Sequence, residues 1–172
     1  MNKLFLAGTL VFMLILTISC GPNRDEAAEY NNNLLKHQKQ IAEKVEALMI
    51  AFENYIPQEM DAAHTNLLKQ INESVESVTS ATELKGSEEF KKATLDLFNT
   101  YLSVAESEYR EMIRIYKIPE NEFTQDARNQ WDELYKVSDD KIEKSLQNLV
   151  QVQKEFAEKY NLTIEAPTTT NN

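Results

Sequence analysis

The stretch Thr124–Tyr160, TQDARNQWDELYKVSDDKIEKSLQNLVQVQKEFAEKY, decides the fold class. Trp131, Leu134, Tyr135, Ser138, Ile142, Leu146, Leu149, Val152, Phe156 and Tyr160 recur at steps of mostly three and four. That is the period of one helix face turned toward partner helices. No proline or glycine interrupts it. Such a helix cannot bury its stripe alone, so the rest of the chain must supply matching faces.

Three upstream stretches do so. Asp25–Tyr55 carries the seam Tyr30, Leu34, His37, Ile41, Val45, Leu48, Phe52 and Tyr55, with Asp25 and Glu26 in the first turn, where the helix dipole favours acids. Ile56-Pro57 ends it, because the residue before proline is driven from the helical region, and Pro57 suits the first turn of a second helix. That helix is expected over Pro57–Leu84, with the seam Met60, His64, Leu67, Ile71, Val75, Val78 and Thr82. Its far half is rich in Ser and Thr and is expected to fray. Lys85-Gly86 stops it. Ser87 reads as the N-cap of a third helix reaching Lys117, with Glu88 and Glu89 in its first turn. Its apolar face is broad: Phe90, Leu97, Phe98, Tyr101, Leu102, Ala105, Tyr109, Met112, Ile113 and Tyr116. Ile118-Pro119 ends it.

Four long helices joined by short connections predict an all-α fold, an antiparallel up-down-up-down four-helix bundle over residues 25–162. Residues 163–172 have no apolar period and read as a disordered tail. With only three glycines and four prolines in 172 residues, the composition points the same way. Ile56-Pro57 and Ile118-Pro119, 62 positions apart, hint at a duplicated helical hairpin. The flanking seams do not superpose at that offset.

The opening of the chain is of another kind. Lys3 precedes an uncharged apolar run, Leu4–Ile18, too short to span a bilayer as a helix and suited to the core of a secretory signal. The run closes on Leu16, Thr17, Ile18, Ser19, Cys20, Gly21, which resembles the lipobox of bacterial lipoproteins. Thr17 stands where that motif usually has Leu, Val or Ile. The resemblance implies cleavage between Ser19 and Cys20 and lipid on Cys20. Residues 1–19 are then the signal peptide and residues 20–24 a short lipidated tether. Arg24, Asp25 and Glu26 weakly resemble the surface-export tags of some bacterial lipoproteins. As a whole the chain resembles a family of helical bacterial surface lipoproteins, which implies location and fold but no chemistry. The expected location is the cell envelope, lipid-anchored to a membrane, at the outer membrane or cell surface in a two-membrane bacterium.

Charge narrows the partners. Of 18 basic and 28 acidic residues, removal of residues 1–19 takes away only Lys3, leaving a net charge of −11. Such a surface argues against nucleic acid, whose phosphates require basic side chains. It also repels anionic headgroups, so the acyl chains must hold the membrane. With the single cysteine committed to lipid, no disulfide and no thiolate metal site remain.

A search for chemistry finds little. His37 and His64 both fall on apolar seams, yet in a hairpin about Pro57 they lie roughly 20 Å apart along the axis, too far for one metal. Each is expected at the core margin with a hydrogen bond of its own. Asp61-x-x-His64 is the nearest approach to the paired Glu-x-x-His of carboxylate di-metal bundles, and it occurs once. Met49, Met60 and Met112 read as packing residues rather than haem ligands. No nucleophile elbow, phosphate loop or zinc-protease motif is present. The chain is therefore expected to be non-catalytic, without a cofactor. A patch of Tyr55, Ile56, Pro57, Met60, Tyr116, Ile118, Pro119 and Phe123, with Trp131 a little lower, is expected at the Ile-Pro end. It would either plug the core or meet an unknown protein partner. The alternative is a bundle that carries or senses a small apolar ligand, haem or a metal.

Overall fold

The computed structural model describes residues 24–163. The signal segment, Ser19, Cys20 and all of the expected tail but Thr163 lie outside the described residues. The described residues are all-helical: α1 is Arg24–Glu53, α2 Pro57–Ser80, α3 Glu88–Val104, α4 Arg110–Tyr116 and α5 Gln125–Lys159. A π-turn, Ala105–Tyr109, joins α3 to α4 without a break in helical backbone, so the five helices form four rods. No helix among them is long and apolar enough to cross a membrane.

Local chemistry sets the boundaries. Ile56 is extended at φ −107° and ψ 100°, as a residue before proline must be, and Pro57 opens α2. Gly86 turns the chain at φ +84°, a conformation costly for other residues. Thr124 caps α5, its hydroxyl accepting from the Ala127 N–H at 3.2 Å.

Three expectations about the middle of the chain are overturned. α2 ends at Ser80, four residues before Leu84, where the Lys91 ammonium donates to the Thr79 and Ala81 carbonyls on either side of that point. Up to that end, Ser74 and Val78 are fully buried, so the Ser-rich half packs rather than frays. The Ser87 hydroxyl is buried and caps nothing; instead the Glu88 carboxylate accepts from the Gly86 N–H at 3.1 Å. Backbone N–H groups of Glu88 and Gly86 accordingly hold that carboxyl below its usual range.

Leu34, Ile41 and Leu48 of α1, Met60, Leu67, Ile71 and Val78 of α2, and Leu97, Phe98, Val104, Met112 and Ile115 of the third rod form the core. α5 contributes less than its regular seam suggests. Leu149 and Phe156 are buried, but Leu134, Ile142, Leu146 and Val152 are only partly covered and Tyr135 is exposed. The reason is its seat: α5 lies along α3, the π-turn and α4, while α1 packs on α2.

Two aromatic clusters close the ends. Tyr30, Phe90, Phe156 and Tyr160 join the N-terminal parts of α1 and α3 to the C-terminal end of α5. Phe52, Tyr116 and Trp131 join the last turns of α1 and α4 to the second turn of α5.

Candidate functional site

The expected Ile-Pro patch separates into a buried floor and an exposed rim. Met60 is fully buried and belongs to the core, because it starts the inward seam of α2. Tyr116 and Ile118 are half-buried. Tyr116 stacks on Phe52 at 5.1 Å and meets Trp131 edge-on at 5.7 Å. Burial, then the neighbouring Tyr55, push its phenol up to about 12. Tyr55, 71% exposed, Ile56, 40%, and Phe123, 36%, are open to solvent in the two Ile-Pro connections, while Pro57 is half-buried and Pro119 exposed.

Tyr55 holds an unusual backbone. Its φ of +56° lies in the left-handed region, as at the helix C-cap position that glycine or asparagine usually occupies. Its ring meets Tyr116 edge-on at 5.3 Å. A continuous run of rings therefore leads from Tyr55 through Tyr116 and Trp131 to Tyr135, which stacks on Trp131 at 5.7 Å and is itself 46% exposed. The run is covered in the middle and open at both ends.

The rim is acidic. Residues 53–61 and 117–128 hold six carboxylates, Glu53, Glu59, Asp61, Glu120, Glu122 and Asp126, against Lys117 and Arg128. Lys117 is committed to both oxygens of Asp61 at 2.7 Å, and Arg128 lies over the Phe123 ring at 5.8 Å. The other five carboxylates form no ion pair among the described residues.

A second locus lies at the π-turn, where His64 meets residues that no motif marks. At the π-turn the His64 imidazole donates from Nε2 to the Ala105 carbonyl at 2.7 Å. Glu108, 7% exposed, accepts from Lys141 of α5 at 2.5 Å. The Ser107 hydroxyl sits between the Ser103 carbonyl and the Glu108 carboxylate. Burial pushes the Glu108 carboxyl up, but hydrogen bonds from Lys141, Ser107 and the backbone outweigh it, and the group stays below its usual range. A shallow groove beside the turn is lined by His64, Leu68, Ser103, Glu106, Ser107 and Arg110. π-turns recur at functional sites, but here the observed contacts fasten α2 and α5 to the third rod.

His37 lies elsewhere, half-buried, with Nε2 3.1 Å from the Ser77 hydroxyl and a buried Nδ1 that has no partner. Each histidine thus has its own hydrogen bond, as the seams predict. Burial, then Lys36, lower the His37 pKa. Among the described residues no three His, Cys, Asp or Glu side chains are grouped to hold a metal ion. Met112 is fully buried like Met60, and Met49 half-buried.

A signal for the π-turn does lie in the sequence. Leu97, Tyr101, Ala105, Tyr109 and Ile113 follow one another at four consecutive steps of four. An α-helix advances 3.6 residues per turn, so such a run drifts around its surface by about 40° a step. A wider turn takes up the drift and returns Tyr109, Met112 and Ile113 to the core. The broad apolar face of the third helix is the trace of this run.

No protein-family model matches the chain, and neither a curated protein nor a solved structure matches it.

Proposed function

We propose that this chain is a non-catalytic lipoprotein of the bacterial envelope, tethered through lipid on Cys20, that presents one end of a helical bundle to a protein partner. In this reading the four rods run up-down-up-down, each antiparallel to the next. Three pairings support that order: His37 with Ser77, Lys91 with Thr79, and Lys141 with Glu108. The membrane then lies at the Arg24 end, and the Ile-Pro turns project away from it. The observation that carries the interaction reading is the exposed Tyr55 ring packed on Tyr116, with Ile56 and Phe123 also exposed in the two Ile-Pro connections. Aromatic side chains held in place are the usual anchors of protein interfaces.

The test uses the full chain expressed in bacteria and fed a labelled fatty acid. Cys20→Ala should lose the label and leave the membrane fraction. Ile56→Asp combined with Phe123→Asp should stay in the membrane fraction, keep its helical signal and lose co-purifying proteins. A chain that lacks residues 1–19, carries Cys20→Ala and remains equally membrane-bound refutes the anchor. A double variant that keeps every partner refutes the tip.

A further inference from the structure

We propose that the partner seated on this end is a basic protein segment, one that sets lysine or arginine beside an apolar side chain. The inference deepens the interaction reading above and rests on it.

Two properties of the surface select that occupant. The first is its charge. Glu53, Glu59, Glu120, Glu122 and Asp126 are exposed and have no ion pair among the described residues, and Lys117 and Arg128 are already engaged. An acidic or neutral partner would leave these carboxylates crowded and partly desolvated. A basic one pairs them, and complementary charge also steers encounter. A second copy of the chain brings the same acids to the contact and is repelled.

The second property is the ring run. Tyr55 and Tyr135 are exposed aromatic residues at its two ends, Tyr135 with one face stacked on Trp131. Exposed aromatic rings attract lysine and arginine as well as apolar groups. Arg128 over Phe123 shows that contact within the chain. The rings are already packed against Tyr116 and Trp131, so a partner does not bear the entropic cost of ordering them. Tyr55 keeps a backbone that glycine or asparagine would hold with less strain, which trades stability for an exposed ring.

Trp131 is the single tryptophan and lies in the run, so its fluorescence reports occupancy directly. The experiment selects binders to the full chain from a displayed library of random dodecapeptides, then titrates the enriched peptides while following Trp131. The expected peptides are net positive with interspersed apolar residues. They change the Trp131 emission and weaken steeply with added salt. Tyr55→Ser should weaken them at least about 10-fold. Glu120→Gln with Glu122→Gln should weaken them several-fold and flatten the salt dependence.

Neutral or acidic peptides that still depend on Tyr55 overturn the partner class and leave the tip standing as a docking surface. Peptides indifferent to both Tyr55→Ser and Ile56→Ser overturn the tip as well. A library that yields no binder above background overturns the basic segment as occupant. Concentration-dependent dimerisation abolished by Tyr55→Ser replaces it with a second copy.

Discussion

The His64 imidazole of α2 donates its Nε2 proton to the Ala105 carbonyl across 2.7 Å, fastening one rod to the first residue of the π-turn in the next. His64→Leu keeps volume and removes the donor. A loss of about 1–2 kcal/mol is expected from denaturant titration, the magnitude of a covered hydrogen bond with one partner left unmet. His64→Gln, whose side-chain amide can still donate, should recover part of it.

The π-turn itself predicts tolerance to a deletion. Glu106 is exposed and lies within the five-residue turn. Removing it should let the third rod continue as regular α-helix with Met112 and Ile113 still inward. Helical circular dichroism should stay unchanged, and stability should fall because the His64 and Glu108 contacts lose register. A deletion of Leu97, in the regular part of α3, should instead abolish cooperative unfolding.

Lys141 and Glu108 predict an acid-dependent coupling. Folding holds the Glu108 carboxyl below its ordinary value, so the stability it brings is present above about pH 4.5 and is lost as pH falls through its folded pKa. Lys141→Ala leaves that buried carboxylate without its cation. The variant should lose about 1–3 kcal/mol at pH 7, the lower end reflecting the half-exposed lysine, and less at pH 4. Unfolding curves at the two pH values measure the difference.

His37 acts in a separate window. Its lowered folded pKa means the unfolded chain binds the proton more readily. Its stability contribution is therefore complete above the unfolded value of 6.5 and declines as pH drops through the folded one. His37→Gln should flatten the stability profile between about pH 7 and 5, leaving the acid limb set by the carboxylates.

At the Ile-Pro end, the two rings that meet Tyr116 from α1 and its C-terminal turn should differ sharply in cost. Phe52→Ala removes a ring only 3% exposed and should cost about 3–5 kcal/mol. Tyr55→Gly relieves a left-handed backbone while losing the edge contact with Tyr116. Opposing terms of about 1 kcal/mol each should leave its midpoint nearly unchanged.

The all-helical fold was legible because helix seams are long and two of their stops are chemically explicit: Ile56-Pro57 and Ile118-Pro119 fall where helices end, whereas Gly86 turns the chain six residues past the end of α2. Depth of burial was not legible. The clearest seam, Trp131 to Tyr160, belongs to the rod with the least buried side chains, since period reports which face turns inward and not how many neighbours cover it. Ser87 looked like a cap because its residue type and the acids behind it fit one, but the Glu88 side chain reached the Gly86 N–H instead. At the candidate site the residues of the rim were readable, whereas Met60 went to the core. The left-handed Tyr55 and the His64 contact depend on tertiary placement, which no spacing rule carries.

Rod pairing also has a kinetic consequence. Each rod packs mainly on its neighbour in the chain: α1 on α2, α2 on α3, α5 on α3. Chains dominated by such near contacts search little conformational space and fold fast, on the order of microseconds to milliseconds. The exceptions close the circuit between the first and last rods. The Gln153 amide donates to Asn31 across 122 positions, and the Tyr30 ring meets Phe156. Those contacts must wait for the end of α5 and form last. A stalled chain ending before Gln153 would therefore lack the link from α5 to α1, and the Tyr30 ring would keep Phe90 but not Phe156 beside it until the final turns arrive.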